Sequence, residues 1–95
     1  MEDNGYVVIA TFSGAKFFVG GYSVRKRRGK RDEDIAAVYA RQDVEVLFRQ
    51  WGVGVPVYEL QVMPQDDLRE MPPLLVQAKL IFKRTNPGDS HGTLD

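Results

Sequence analysis

"DEDIAAVYARQDVEVLFRQW", Asp32 to Trp51, decides the fold, because its hydrophobic period differs from that of the segments on either side. At 100° per residue, Ile35, Ala36, Tyr39, Ala40, Val44, Val46, Leu47, Phe48 and Trp51 fall within roughly 220° of arc, and Asp34, Arg41, Gln42, Glu45 and Arg49 share the remainder. The spacing predicts an amphipathic helix. On its polar face Arg41 and Glu45, then Glu45 and Arg49, stand four residues apart, where each pair adds about 0.2–0.5 kcal/mol. Asp43 interrupts the apolar side, so two shorter helices with Asp43 capping the second are the alternative. A strand through Val44, Val46 and Phe48 is less well supported. Gly52 and Gly54 end the helical pattern.

On the N-terminal side the period is two. "YVVIATF" (Tyr6 to Phe12) is β-branched and aromatic, Ser13-Gly14 supplies a tight turn, and "KFFVGGYSV" (Lys16 to Val24) follows at hairpin distance. Gly20-Gly21 marks a bulge or a close backbone approach. On the C-terminal side "VPVYELQVM" (Val55 to Met63) alternates Tyr58, Leu60 and Val62 with Val57, Glu59 and Gln61, which predicts a third strand. "PQDDLREM" can form one or two helical turns beginning at Pro64, and Pro72-Pro73 forbids their continuation. "LLVQAKLIFKR" (Leu74 to Arg84) alternates Val76, Ala78, Leu80 and Phe82 with Gln77, Lys79 and Lys83, which predicts a fourth strand.

The expected fold class is therefore α+β: a four-stranded, mainly antiparallel sheet in β-β-α-β-β order, with one amphipathic helix packed on one face. Residues 1–84 are expected to form a single compact domain, and residues 85–95, "TNPGDSHGTLD", a flexible polar tail. The helix's apolar arc is wider than packing on a sheet demands, so a further cover is expected from the tail, a loop or a second copy in a homodimer. Phe48 and Trp51 are the candidate interface anchors, although core filling is the preferred reading for Trp51.

Composition excludes several kinds of chemistry. The 95 residues contain no cysteine, which removes thiolate nucleophiles, disulfides and most structural zinc sites. The single histidine, His91, lies in the expected tail, where a general acid or base would not be held against its proton. "DSHG" places serine, histidine and aspartate side by side, whereas a triad needs them to converge from rigid positions. The acidic clusters Asp32-Glu33-Asp34 and Asp66-Asp67 with Glu70 read as a helix N-terminus and a solvated turn rather than as metal ligands. "FSGAKFF" and "GVGVP" lack the context of a phosphate-binding loop. No enzyme activity, metal, cofactor or small-molecule substrate is expected. The acidic start and the short apolar runs argue against a signal peptide or membrane contact, so a cytoplasmic location is expected.

Charge supplies the one functional signal. Arg25, Lys26, Arg27, Arg28, Lys30 and Arg31 hold six of thirteen basic residues, which leaves seven against thirteen acidic residues elsewhere in a chain of zero net charge. Like charges so crowded must lie on an exposed connection between the second strand and the helix. The simplest reading is a solvated loop whose field at the helix N-terminus is offset by Asp32 to Asp34. The functional reading is a contact for nucleic acid or an acidic protein surface, with Tyr22 and the neighbouring Phe17 and Phe18 available for base stacking. A nuclear address is a third. The element order departs from the β-α-β-β-α-β order of RNA-recognition domains. The expected function is a small non-catalytic binding protein acting through this loop on nucleic acid or on a nucleic-acid-handling complex. The alternative, by analogy of size alone, is a protein-protein inhibitor or adaptor such as a phage accessory protein that blocks a host enzyme or defence complex.

Overall fold

The structure is a computed structural model that describes residues 4–25 and 28–85. Its elements are β1 (Asn4–Phe12), β2 (Ala15–Val24), α1 (Asp32–Trp51), β3 (Glu59–Pro64) and α2 (Lys79–Thr85), with 3-10 turns at Gln65–Asp67 and Leu75–Gln77. The three strands form one antiparallel sheet in the order β2-β1-β3. The α+β class stands, with one main helix on a three-stranded sheet.

β1 and β2 form the expected hairpin. Ser13 and Gly14 both have positive φ, 50° and 85°, so the two-residue turn twists in the sense that matches its strands. A bulge is present one residue before the expected Gly20-Gly21: Val8 pairs with Gly20 but Ile9 with Phe18, so Val19 is the extra residue. It shifts the alternation of β2 by one, and Phe17, Val19, Tyr22 and Val24 all contribute to the helix side.

α1 runs unbroken for 20 residues, and Asp43 lies within it rather than capping a second helix. Its carboxylate accepts a 2.6 Å hydrogen bond from the Tyr22 hydroxyl. Gly20 makes this contact feasible. A Cβ there would lie 3.1 Å from the Tyr22 hydroxyl and 3.3 Å from the ring carbon bearing it, so the phenol lies over the space that glycine leaves. An aspartate that breaks the apolar pattern of the helix is thus the partner of a strand tyrosine 21 residues away.

The buried stripe of α1 is Ile35, Ala36, Ala40, Val44, Phe48 and Trp51, narrower than the sequence arc, because Tyr39 and Val46 are exposed. Ile35, Ala36 and Ala40 pack on Val8 and Val24. Val44, Phe48 and Trp51 join Ala10, Phe12, Phe17 and Leu75, with Val19 and Leu60 packed against both groups. Six rings meet at the second group: Phe12 stacks on Phe48 at 5.5 Å and on Tyr58 at 5.1 Å, and Phe82 meets Phe12, Phe17, Phe48 and Trp51 at 4.8 to 5.9 Å. Phe48 and Trp51 are therefore core residues, 0% and 7% exposed, and not surface anchors for a second copy.

Two strand expectations need correction. β3 begins at Glu59 rather than Val55, and its last residue, Pro64, is also the N-cap of the expected helical turn, the 3-10 turn at Gln65–Asp67. The preceding Val55 to Val57 is exposed, Val57 at 93%, and Pro56 brings no N–H to a ladder. The fourth strand is replaced by the 3-10 turn and α2, with one residue of bridging between Leu74 and Phe18. The run satisfies two periods at once. Val76, Ala78, Leu80 and Phe82 alternate, but Leu75, Ala78 and Phe82 have helical spacing, and it is these three that reach the core. Val76 and Leu80 are exposed.

Between β3 and that bridge the chain travels from one edge of the sheet to the other. Residues 67–73 pass the face opposite α1 and enclose with Ile9, Lys16, Gln61 and Met63 an open hollow of about 660 Å³. The Phe18 N–H then donates to the Pro73 carbonyl at 2.8 Å, so the outer edge of β2 is met at Phe18. The expected tail, apart from Thr85 at the end of α2, lies outside the described residues, as does His91.

Tyr22→Phe removes the hydroxyl and leaves the ring. Loss of a hydrogen bond to an exposed carboxylate should lower stability by about 0.5–1.5 kcal/mol, read by urea unfolding at neutral pH. Burial first, and the bond to Asp43 second, hold the Tyr22 phenol well above its ordinary value of 10.0. The folded state keeps a proton that the unfolded chain releases near pH 10, so this stabilisation is complete below that pH and declines above it. The wild type should therefore lose stability above pH 10 more steeply than Tyr22→Phe, and equal slopes would contradict the assignment.

Candidate nucleic-acid interface

The basic connection is tethered at both ends to the same part of the core. Val24, the last residue of β2, is 1% exposed and packs with Ile35 and Ala36 from the first turn of α1. Between these anchors Arg25, Arg28, Lys30 and Arg31 are exposed, and the chain turns at Arg28-Gly29, where Gly29 has φ 75°. Lys26 and Arg27 lie outside the described residues.

Arg31 is the N-cap of α1. Its extended backbone (φ −89°, ψ 141°) lets its carbonyl accept from the N–H groups of Asp34 and Ile35, both at 3.1 Å. An arginine side chain cannot accept from helix N–H groups, and the first turn makes no side-chain cap. Asp32, Glu33 and Asp34 instead supply negative charge to the positive end of the helix dipole. The Arg31 Nε lies 4.0 Å from Glu33 Oε1, with the two side chains 77% and 45% exposed. A pair so long and so wet contributes little and leaves the guanidinium able to meet another anion.

None of the aromatic residues expected beside these cations is fully exposed. Phe17 is buried among the clustered rings, Phe18 is half-buried in the strand bonded to Pro73, and Tyr22 is half-buried against Asp43. Another tyrosine takes that place. Tyr39, counted in the apolar arc of the helix, is exposed, its ring centroid 6.4 Å from that of Tyr22. With Lys30, Asp34, Ile35 and Val38 it bounds a hollow of about 180 Å³ at the end of the basic connection. Helical periodicity placed Tyr39 in the apolar arc and carried no signal that the sheet would leave it open, whereas Val38 falls on the polar face between Glu45 and Arg49.

Among the described residues no group of three or more histidine, cysteine, aspartate or glutamate side chains is arranged to hold a metal ion, and no helix is long and apolar enough to cross a membrane. Asp66, Asp67 and Glu70 are exposed on the turn after β3 and the segment following it. No protein-family model matches the chain, and no curated protein or solved structure shows significant similarity to it.

Proposed function

We propose that the protein is a non-catalytic binder of single-stranded nucleic acid, with Arg28, Lys30 and Arg31 on phosphates and Tyr39 beneath a base. The observation that carries this reading is the adjacency of exposed cations to an open aromatic and apolar hollow, on a body whose remaining charge is acidic. Cations alone would favour any polyanion. A tyrosine face beside them favours unpaired bases, because stacking on a base requires that base to be free of its own neighbours.

Replacing Arg28, Lys30 and Arg31 together with glutamine tests the electrostatic part. Each lost phosphate contact should reduce the slope of log K against log salt by about 0.7 on a single strand, so a reduction of about 2 is expected for the three. Tyr39→Ala tests the stacking part, with an expected loss of about 1–3 kcal/mol on single strands and a much smaller loss on duplex. Absence of binding by the wild type at low salt, or an unchanged slope in the triple variant, would remove the reading.

A second reading, a protein-protein adaptor or inhibitor, is supported by the exposed apolar side chains of Val38, Tyr39 and Val46 on α1. It predicts a stoichiometric protein partner whose binding is abolished by Val46→Lys and persists at high salt.

A further inference from the structure

The two edges of the sheet are treated differently. The outer edge of β2 is engaged at Phe18, by the Pro73 hydrogen bond and the Leu74 bridge, whereas no strand pairs with the outer edge of β3 among the described residues. Which groups that edge presents follows from the register. Tyr6 stands opposite Pro64, and proline has no N–H, so this pair cannot exchange hydrogen bonds. Alternation along an antiparallel ladder then assigns the exchanging pairs to Val7 with Met63, Ile9 with Gln61 and Thr11 with Glu59. The N–H and C=O groups of Leu60 and Val62 point away from β1, and among the described residues no loop or turn supplies them a backbone partner.

We propose that this edge pairs with the same edge of a second copy of the chain, antiparallel and centred on Gln61, giving one continuous six-stranded sheet. The strand is complementary to itself in this register. Leu60 faces Val62 of the partner subunit and Val62 faces the partner's Leu60, so the outward groups of both residues are satisfied in two exchanging pairs. Parity is preserved, and the half-buried side chains of Leu60 and Val62, which lie on the α1 side at the margin of the core, cover one another. The single charge of β3, Glu59, stands opposite the partner's Met63, so no like charges meet. The edge carries neither an inward-facing lysine nor a bulge, and its proline is at its last position. The pairing is independent of the nucleic-acid reading.

Because the chain has no cysteine, a single introduced one reports the contact without background. At the two-fold centre the Gln61 residues form a non-hydrogen-bonded pair with Cα atoms about 4.5 Å apart, within the roughly 4.4–6.8 Å that a disulfide accepts. Gln61 is exposed on the face opposite α1, so Gln61→Cys leaves the core intact. Two residues from the centre, Glu59→Cys would place its thiols on strands offset by about 14 Å and serves as the control. Under mild oxidation without nucleic acid, Gln61→Cys should convert to a covalent dimer about tenfold or more faster than Glu59→Cys. The wild type should sediment at twice the monomer mass at high protein concentration, as befits a small interface. A wild type that remains monomeric, or equal cross-linking rates for the two variants, overturns the proposal.

Discussion

Phe48→Ala is expected to lower stability by about 3–5 kcal/mol, the range for truncating a fully buried aromatic. Phe48 is 0% exposed and its ring lies 5.5 Å from Phe12, 4.9 Å from Trp51 and 4.8 Å from Phe82. Those neighbours come from β1, α1 and α2, so one truncation opens a void where three elements meet. Relaxation into that void is limited, because each surrounding ring is already fixed by another ring. A domain of this length has a total stability of about 5–14 kcal/mol, so the loss is at least about a fifth of the whole. Its melting temperature should fall by about 4–8 °C per kcal/mol lost. A loss below about 1.5 kcal/mol in urea unfolding would mean that Phe48 does not occupy the centre of the core.

Leu75→Ala carries the second largest expected effect, about 2–4 kcal/mol, and it discriminates between two structures of the last described segment. In the observed fold Leu75 is 1% exposed within the 3-10 turn, whereas Val76 and Leu80 are 59% and 72% exposed. Val76→Ala and Leu80→Ala should therefore each change stability by no more than about 0.5 kcal/mol. If residues 74–84 formed the strand that alternation implies, Val76 and Leu80 would face the core, and their truncation would be the damaging change. Chemical denaturation of the three variants under one condition separates the cases. Equal losses at Leu75 and Val76, or a larger loss at Val76, would contradict the helical ending.

The same comparison explains why some elements were legible and others were not. The hairpin was readable because Ser13-Gly14 dictates a two-residue turn and the flanking residues have one period only. α1 was readable because its apolar stripe recurs over five turns, longer than any strand pattern can imitate. The segment after Pro73 offered only about three turns, short enough for alternation and helical spacing to fit equally well. Contact with the aromatic group from Phe12, Phe17, Phe48 and Trp51 selects between them, and that contact is long-range.

The candidate site divides in a similar way. That Arg28, Lys30 and Arg31 lie outside the core followed from charge density alone, because crowded cations cannot be desolvated. Which aromatic ring stands beside them did not follow. Phe17, Phe18 and Tyr22 are nearest in sequence, yet the bulge at Val19 and the phenol seat above Gly20 turn Phe17 and Tyr22 inward and leave Tyr39 open.

The α+β class, the hairpin, the main helix and the exposure of Arg25, Arg28, Lys30 and Arg31 follow from the order of residues alone, since each rests on local periodicity, turn chemistry or the desolvation of charge. Long-range contacts set the three-stranded order, the passage of residues 67–73 across the second face, the helical ending and, among the described residues, a β3 edge with no strand beside it. Those outcomes depend on which distant side chains complete the core, and spacing along a chain does not encode the distance between segments that meet only on folding.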